Sequence, residues 1–366
     1  MKLDIPILPP NPFMPGFGRY PKLLLDQQQN LVDYLTRLFN DDVKAQTSLV
    51  YGARGTGKTV FLLSVQQALT EYPDWHFIRL NANQGDLLFQ LLHALQIETR
   101  TPLNDIFKNI MGTGITLRST STGQQIDYHY YLVQLLERLQ QRHQHVLIAI
   151  DEVNPNDDLR YFSAEYQTLI GSDYPLALLM TGLPSQVTSL QNDKTLTFLL
   201  RSHRIHLKPL DKISISENFR RVFEGGKRQF EFSEIQRLTQ AVGGYAYAFQ
   251  LVGYYTWRLT ETTPQITPAI VDKVITNLKH DLYQNAYLRM YQDLTPIARK
   301  IVRLIARSAE TMVSSNWIGE KLNKPKNYVS VYRAQLLENQ IVIAPKWGYL
   351  AFNLPYFKDF IQSLDA

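Results

Sequence analysis

Eight consecutive residues have the types and the spacing of a loop that binds phosphate groups. They are Gly52, Ala53, Arg54, Gly55, Thr56, Gly57, Lys58 and Thr59, and they fit the pattern G-x-x-x-x-G-K-[ST] in full. Glycines let backbone N–H groups turn toward phosphate oxygens, the lysine adds a positive charge, and the hydroxyl after it can bind Mg²⁺. We therefore expect residues 52–60, which end with Val60, to bind a nucleoside triphosphate. Lys58 is also a catalytic candidate, and Thr59 is a candidate metal ligand.

Two acidic residues and a threonine follow apolar runs further along the chain. Asp151 and Glu152 come directly after the run 146–150, and Thr181 follows the run 176–180. Where a phosphate-binding loop precedes such a pair, the Asp holds Mg²⁺ and the Glu polarises the attacking water. We expect these roles here, and contact of Thr181 with the γ-phosphate or with that water. The alternatives are an acidic helix start and a simple cap at a strand end.

Two arginines flank the start of another run, at 203–207. Either Arg201 or Arg204 could reach the nucleotide of a neighbouring subunit, as an arginine finger does, in a homo-oligomer. The alternative is a solvated basic surface. The pattern N-K-x-D, which specifies guanine, is absent, because the similar segment Asn323-Lys324-Pro325-Lys326 has Lys326 in place of the Asp. The expected cofactors are therefore ATP and Mg²⁺.

The apolar runs predict the elements that must position these residues. Strands are expected at 48–51, 75–80, 146–150, 176–180 and 203–207, with helices at 26–39, 86–95 and 128–142. The run 146–150 is apolar throughout, as a central parallel strand covered on both faces should be. Alternation of strands with helices indicates a parallel α/β sheet. After residue 214 the pattern becomes helical, with helix starts at Thr267-Pro268 and Thr295-Pro296.

The composition narrows the class of protein. Of 366 residues, 45% are hydrophobic and 19% are charged, which is typical of folded globular chains and not of disordered ones. Without Cys, the chain has no disulfides, thiolate metal sites or cysteine nucleophiles. We recognise no signal peptide and no run near the roughly 18 apolar residues of a membrane span, and therefore expect a cytoplasmic protein with no membrane partner. The net charge of +5 permits a nucleic-acid partner without requiring one.

Taken together, these motifs resemble those of a known family. The loop 52–59, Asp151-Glu152, Thr181-Gly182, the segment 201–204 and Gly243-Gly244 occur in the order found in AAA+ ATPases. The chain is similar to the initiator-like, origin-recognition-like members, and in particular to a group of largely uncharacterised bacterial ATPases. The stretches that carry the narrower resemblance are Asn11-Pro12-Phe13, Thr197-Phe198-Leu199, residues 249–253 and Leu354-Pro355-Tyr356.

The resemblance implies both a domain plan and a fold. An extended N-terminal arm over 1–22 precedes an AAA+ core over 23–213 with a five-stranded parallel sheet. A helical lid over 214–289 and a winged helix-turn-helix domain over 290–366 complete the plan.

Two departures from the family pattern bear on activity. Many AAA+ proteins carry an arginine in the lid shortly after the position of Gly244, and residues 245–249 contain none. Weak lid closure and slow or partner-dependent turnover are therefore expected. Leu24-Leu25-Asp26 replaces a Gly-Arg pair that often lies near the adenine. The aromatic arm around Phe13 and Phe17 is a candidate to cover the base instead.

The last segment has the element order of a winged helix. Helices are predicted at 297–305, 316–322 and 328–337, and strands at 341–343 and 349–352 around Lys346-Trp347-Gly348. Double-stranded DNA binding would place the third helix in the major groove. The candidate contacts are Lys324, Lys326, Asn327, Ser330, Arg333 and Lys346. The alternative is a winged helix that packs on the ATPase or binds protein.

Two functional hypotheses follow. In the first, the chain is a DNA-associated AAA+ ATPase. In the second, it is a nucleotide-gated switch for protein partners, with slow or partner-stimulated hydrolysis. The missing lid arginine favours the second, and a metabolic kinase is disfavoured because no small-substrate site is recognised.

Overall fold

A computed structural model describes residues 10–16, 27–40, 42, 46–100 and 127–365 of the chain. The described residues fall into two compact units. The first, here called the sheet unit, contains residues 29–51 and 61–206 as far as they are described, and the second, the helical unit, contains residues 10–28, 52–60 and 207–365 likewise. The domain boundaries given above stay predictions.

A five-stranded parallel sheet forms the centre of the sheet unit. Its strands are β1 (Thr47–Tyr51), β2 (Trp75–Asn81), β3 (His145–Asp151), β4 (Leu176–Gly182) and β5 (His203–His206), in the spatial order β2-β3-β4-β1-β5. All four neighbouring pairs are parallel. The predicted α/β fold with five strands is therefore confirmed, and the predicted strand bounds hold to within two residues.

The helices of the sheet unit explain why its central strands are apolar. They are α1 (Gln27–Phe39), α2 (Lys58–Leu69) from Phe61 onward, α3 (Leu87–Thr99), α4 (Tyr128–Gln141), α5 (Asp157–Gly171) and α6 (Pro184–Asn192). Residues 146–150 of β3 and all of β4 are buried. Leucines of α3 and α4 share one core with β3 and β4, and burial of such side chains supplies most of the driving force for folding.

Four helices open the second half of the helical unit. They are α7 (Lys212–Gly225), α8 (Phe232–Val242), α9 (Ala246–Leu259) and α10 (Pro268–Asp281). Thr267 caps α10 by accepting from the N–H of Ile270 at 3.3 Å, with Pro268 at the first helical position. The predicted helix start at Thr267-Pro268 is confirmed, since the hydroxyl satisfies an N–H that the helix leaves unpaired.

The C-terminal part continues the same core. A π-helical turn (Leu282–Tyr287) and α11 (Leu288–Gln292) lead to α12 (Pro296–Arg307), β6 (Val313–Ser314), α13 (Ser315–Leu322), α14 (Lys326–Glu338), β7 (Val342–Ile343), β8 (Tyr349–Phe352) and α15 (Phe357–Ser363). The strands form an antiparallel sheet in the order β6-β8-β7. Three helices and a hairpin follow one another as predicted, and β6 is an additional short strand that the sequence pattern does not reveal.

The described part of the N-terminal arm is tied to the helical unit by Phe13. Its ring is 1% exposed and lies among Phe219, Phe223 and Phe249 at centroid distances of 5.6–6.0 Å. Phe13 is therefore a core residue and not a cover for a base. Phe17 and the segment 24–26 lie outside the described residues.

Within the described ranges, no helix combines the length and the apolar character that crossing a membrane would require.

Candidate functional site

The loop 52–59 has the backbone geometry that its glycines predict. Gly55 and Gly57 have positive φ angles of 76° and 93°, a region that favours glycine because it lacks a Cβ. Helix α2 begins at Lys58, so the last residues of the loop form the first turn of a helix. Its N-terminal N–H groups and helix dipole favour an anion at this end.

The lysine of the loop lies back against the loop itself. Lys58 is 9% exposed, and its Nζ donates to the carbonyls of Gly52 at 2.9 Å and Ala53 at 2.8 Å. The hydroxyl of Thr56 donates to the same Ala53 carbonyl at 2.9 Å. The positive charge is therefore held within the loop, where a phosphate oxygen would compete with two carbonyl oxygens for it.

Two tyrosines at the start of α9 contact the loop. The phenol of Tyr245 lies so near Gly55 that a Cβ added there would come within 2.5 Å of its Cζ. The N–H of Tyr247 donates to the Gly55 carbonyl at 3.1 Å. Burial raises the pKa of the Tyr245 phenol above its usual value, so the ring stays neutral. Helix α9 thus touches the loop through aromatic residues.

Two residues further along the chain also hold the loop. The side-chain oxygen of Gln340 accepts from the N–H of Ala53 at 3.2 Å, and Asp293 forms an ion pair with Arg54 at 3.0 Å. We call Tyr245, Tyr247, Asp293 and Gln340 the loop clamp. All of them belong to the helical unit, as the loop does. No sequence motif marks these four residues, since they meet the loop only through tertiary packing.

The acidic pair and Thr181 form one hydrogen-bonded group in the sheet unit. The buried hydroxyl of Thr181 donates to Oδ1 of Asp151 and accepts from the N–H of Glu152 at 3.2 Å. The N–H of Val153 donates to the Thr181 carbonyl at 2.9 Å. Because β3 and β4 are parallel neighbours, their carboxyl ends meet, and Thr181 fixes Asp151 relative to Glu152.

Two further features of this group were not apparent from the sequence. Glu152 has a φ of 54°, which is uncommon for a residue with a side chain and is often found at functional sites. Arg79 of β2 donates from Nη2 to Oδ2 of Asp151 at 3.0 Å. The sequence signal for Arg79 is a charged residue between the apolar Ile78 and Leu80 of the strand.

The two candidate fingers lie at the edge strand β5. Arg201 ends a 3₁₀ turn (Thr197–Arg201) and is exposed, and Arg204 is an exposed residue of β5 itself. The side-chain amide of Gln191 lies 2.9 Å from Nε and Nη2 of Arg204 and accepts from both when its oxygen faces them. Arg204 is thus oriented within its own unit, whereas Arg201 extends from the turn.

The candidate DNA contacts lie on and around α14. Lys324 precedes it with Nζ 5.5 Å from the Tyr328 ring, and Asn327 and Ser330 are exposed along one side. Arg333 is half-buried, and its Nε has no hydrogen-bond partner among the described residues. Lys326 is the first residue of the helix. The exposed side of α14 therefore combines the polar Asn327 and Ser330 with the apolar Val331, which is 66% exposed, and is only weakly basic.

The turn between β7 and β8 carries the remaining candidate. Lys346 is exposed, with Nζ 5.5 Å from the ring of Tyr349. The next residue, Trp347, is 87% exposed, although its sequence position predicts only a turn.

The donor groups suit Mg²⁺ by their chemistry. Thr59 offers a hydroxyl and Asp151 a carboxylate, both hard oxygen ligands. No group of three or more His, Cys, Asp or Glu side chains that could hold a metal occurs in the described parts of the chain. An ion bound to either group would therefore take further ligands from phosphate and water, as Mg²⁺ commonly does.

Comparison with known proteins supports the fold. Residues 284–361 match a family model described as a domain of unknown function, DUF8462. No curated protein matches the chain significantly. A Walker-type ATPase of Pyrococcus abyssi matches with a TM-score of 0.67 and 16% identity over 93% of this chain and 96% of that one. The ORC2 protein of Aeropyrum pernix, in ADPNP–ADP complexes, matches with a TM-score of 0.60 and 14% identity over 96% and 98%.

A third solved structure is also similar to this chain. Cdc6p from Pyrobaculum aerophilum has a TM-score of 0.51 and 16% identity, over 96% of each chain. At such identities the likeness shows the fold alone. The chain has the fold of the Cdc6/ORC-like AAA+ P-loop NTPases.

Proposed function

We propose that this protein binds ATP with Mg²⁺ and hydrolyses the γ-phosphate bond. The observation that carries the proposal is the hydrogen-bonded group in which Thr181 fixes Asp151 and Glu152 at the ends of two adjacent strands. A complete phosphate-binding loop follows β1 directly in the sequence. The similar structures include a Walker-type ATPase and a protein in complex with ADPNP and ADP.

Each residue has a distinct task in this proposal. Backbone N–H groups of residues 52–60 bind phosphate oxygens, and Lys58 exchanges its carbonyl partners for them. Thr59 and Asp151 hold Mg²⁺, which neutralises charge on the phosphates when bound. Glu152 accepts a proton from the attacking water. Thr181 acts through Asp151 and Glu152 and does not itself need to touch the nucleotide.

Nucleotide binding and hydrolysis can be tested separately. The Lys58→Ala variant should lose most of its ATP affinity. The Glu152→Gln variant should still bind ATP but should hydrolyse it at least about 10²-fold more slowly than the wild type. Glu137→Gln, at an exposed position of α4, is the matched control. The measurements are fluorescence titration with a labelled ATP analogue and phosphate release. Hydrolysis by Glu152→Gln at the wild-type rate would remove Glu152 from the proposal.

We also propose that the C-terminal part, from residue 290 onward, is a winged helix that associates with double-stranded DNA. The element order and the exposed Asn327 and Ser330 of α14 support this, as do Lys346 and the exposed Trp347 at the turn of the hairpin. Homo-oligomers would use Arg201 or Arg204 as a finger, and the cytoplasm is the proposed location. The basic residues are few, so binding should be moderate and salt-dependent.

DNA association is tested by fluorescence anisotropy of a labelled duplex at two salt concentrations, with and without ATP–Mg²⁺. Changing Lys324, Lys326 and Arg333 together to Ala should weaken binding and reduce its dependence on salt. A triple variant at Lys212, Lys227 and Lys273 of the lid removes the same charge and serves as control. Equal loss in both triple variants would assign the binding to net charge and not to α14.

The loop clamp favours a second candidate function, a nucleotide-gated switch. Gln340 and Asp293 bond to residues 53 and 54, and the lid tyrosines contact residue 55. If these contacts stabilise a loop in which Lys58 is bound to carbonyls, ATP and the clamp oppose each other. Coupling between two equilibria is reciprocal, so ATP would then weaken the clamp and release the C-terminal part for a protein partner.

Removal of the clamp tests the switch. Gln340→Ala and Asp293→Asn should each raise ATP affinity about threefold to tenfold, within the usual range of such couplings. Glu310→Gln, at an exposed position before β6, controls for the loss of an acidic charge. Unchanged affinity in both clamp variants, with the control also unchanged, would argue against a gate at this contact while leaving ATP binding intact.

A further inference from the structure

The carboxylate of Asp151 has a partner that nothing in the loop pattern predicts. Arg79 lies on β2, beside β3, and its Nη2 is 3.0 Å from Oδ2 of Asp151. In the register of the two strands, Asn81 is opposite Asp151 and Arg79 is opposite Ala149. The guanidinium therefore reaches along the strand toward the carboxyl end of β3, where the acidic pair lies.

Asp151 does not depend on Arg79 for its orientation. Its other oxygen, Oδ1, accepts from the buried hydroxyl of Thr181, and its backbone belongs to the central strand β3. The Asp151 side chain is only 14% exposed, and that of Arg79 is 40% exposed. Removal of Arg79 should therefore leave the carboxylate in place without the guanidinium at Oδ2.

A guanidinium and a metal ion compete for the same oxygen. Arg is always protonated in proteins and donates in a fixed geometry to carboxylates, and Mg²⁺ prefers carboxylate oxygens. Two cations within a few ångströms also repel each other. The half-exposed position of Arg79 gives it water to move into when a metal ion takes Oδ2.

We propose that Arg79 is a built-in counter-ion that Mg²⁺ must displace from Asp151, and that it sets the metal concentration at which the site becomes occupied. The inference rests on the proposed function, in which Asp151 is a metal ligand. Arg79 acts through Asp151 in this scheme. It pairs with the Asp151 carboxylate while no metal is bound, and it raises the metal concentration needed for occupancy.

The test is a titration with Mn²⁺, which reports binding by loss of its free electron-spin-resonance signal. The full chain is kept in excess over a non-hydrolysable ATP analogue, so that nearly all nucleotide is bound to protein. Arg79→Gln should lower the apparent Kd for Mn²⁺ about fivefold, the size expected for a partly exposed ion pair. Arg79→Lys keeps the charge and should remain near the wild type.

Two further variants distinguish the proposed role of Arg79 from the proposed metal binding by Asp151. Arg142→Gln removes the same charge at the exposed end of α4, before β3 begins, and should change nothing. In an Asp151→Asn background, Arg79→Gln should lose its effect, because the shared oxygen is no longer charged.

The outcomes are distinct. Unchanged or weaker Mn²⁺ binding in Arg79→Gln, with Asp151→Asn clearly weakened, overturns the role of Arg79 alone. Equal Mn²⁺ binding in Asp151→Asn and wild type overturns the metal role of Asp151 and this inference with it. Tighter binding in Arg79→Gln that persists without Asp151 assigns the effect to general charge and also overturns the inference.

Discussion

At the scale of single residues, the hydroxyl of Thr181 organises the group that we propose to be catalytic. It connects β4 to both acidic residues that follow β3, donating to Asp151 and accepting from the N–H of Glu152. A hydroxyl both donates and accepts, and few other side chains of this size can do so. The left-handed backbone of Glu152 is held by the same hydroxyl. The function of Thr181 is therefore geometric, and it lies behind the residues assigned to the chemistry.

Replacement of Thr181 should test whether its hydrogen bonds to Asp151 and Glu152 are needed for ATP hydrolysis. Thr181→Val keeps the shape of the side chain but leaves the carboxylate of Asp151 and the N–H of Glu152 without this partner. We expect a fall in kcat of at least tenfold with little change in ATP affinity, whereas Thr181→Ser should retain most activity. Thr168→Val, at an exposed position of α5, is the control for loss of a threonine hydroxyl. A Thr181→Val enzyme with normal kcat would show that the connection is dispensable.

The loop glycine Gly55 offers a second prediction at this scale. Its φ of 76° disfavours any side chain, and an added Cβ would overlap the Tyr245 ring. Gly55→Ala should therefore abolish ATP binding in titration. In the double variant with Tyr245→Ala the overlap is gone and only the backbone strain of about 1–2 kcal/mol remains. Partial recovery of ATP binding by the double variant is expected. No recovery would mean that the loss of ATP binding comes from the changed loop conformation and not from the overlap with Tyr245.

At the scale of elements, the N-terminal arm packs closely on helix α9 at a glycine, which has no side chain. Gly253 lies in the middle of α9, and a Cβ added there would come within 2.5 Å of Cγ of Phe13. Asn11 and Met14 support the contact by bonding to Tyr254 and Gln250 of the same helix, at 3.1 and 2.9 Å. Glycine normally weakens a helix interior, so its presence here is explained by the ring that packs against it.

A double-mutant cycle at this contact should be strongly non-additive. Gly253→Ala should destabilise the protein by about 1–3 kcal/mol through overpacking. Phe13→Ala should cost about 3–5 kcal/mol through the lost ring. In the double variant the new methyl occupies part of the vacated space and gains helix propensity, so its loss should be less than that of Phe13→Ala alone.

The measurement for this cycle is urea unfolding followed by fluorescence. Gly225→Ala is the control, because a Cβ at Gly225 meets no atom within 4 Å. Additive losses in the double variant would show that the arm and α9 do not share this contact in solution.

The elements also show what sequence can and cannot predict here. The run 146–150 predicts β3 because a strand buried on both faces must be apolar. The loop 52–59 can be recognised in the sequence because a backbone that surrounds phosphate groups requires glycine at fixed positions. Gln340 and Asp293 could not be found this way. They contact the loop across more than 200 residues of sequence, and their side chains carry no local signal.

Thr181 and Arg79 also have partners that the sequence pattern does not reveal. A polar residue at a strand end suggests contact with ligand, but the choice between ligand and Asp151 depends on the strand order β3-β4. Arg79 becomes a partner of Asp151 only because β2 is the other neighbour of β3. Such neighbours are set by tertiary structure, which the periodicity of a single run does not report.

At the scale of the whole molecule, the described residues form two hydrophobic cores. One is built on the strands β1 to β4 with their helices, and the other runs from Phe13 through helices α7–α10 to α15. Chains with more than one core often unfold in more than one step. The loop 52–59 belongs by its contacts to the helical unit, together with residues 207–365. ATP should therefore stabilise more than its immediate surroundings.

Scanning calorimetry should reveal this organisation. We expect a calorimetric enthalpy greater than the van't Hoff enthalpy, the sign of more than one cooperative unit. ATP–Mg²⁺ at about 100 times its Kd should add about 2.7 kcal/mol to the stability of the unit that binds it, and so raise the Tm of its transition. Because the loop and the clamp lie in the helical unit, Trp317 and Trp347, also in that unit, should report the same shift by fluorescence. Lys58→Ala should unfold with unshifted transitions at the same ATP concentration. A single two-state transition that ATP moves as a whole would show instead that the two cores unfold as one.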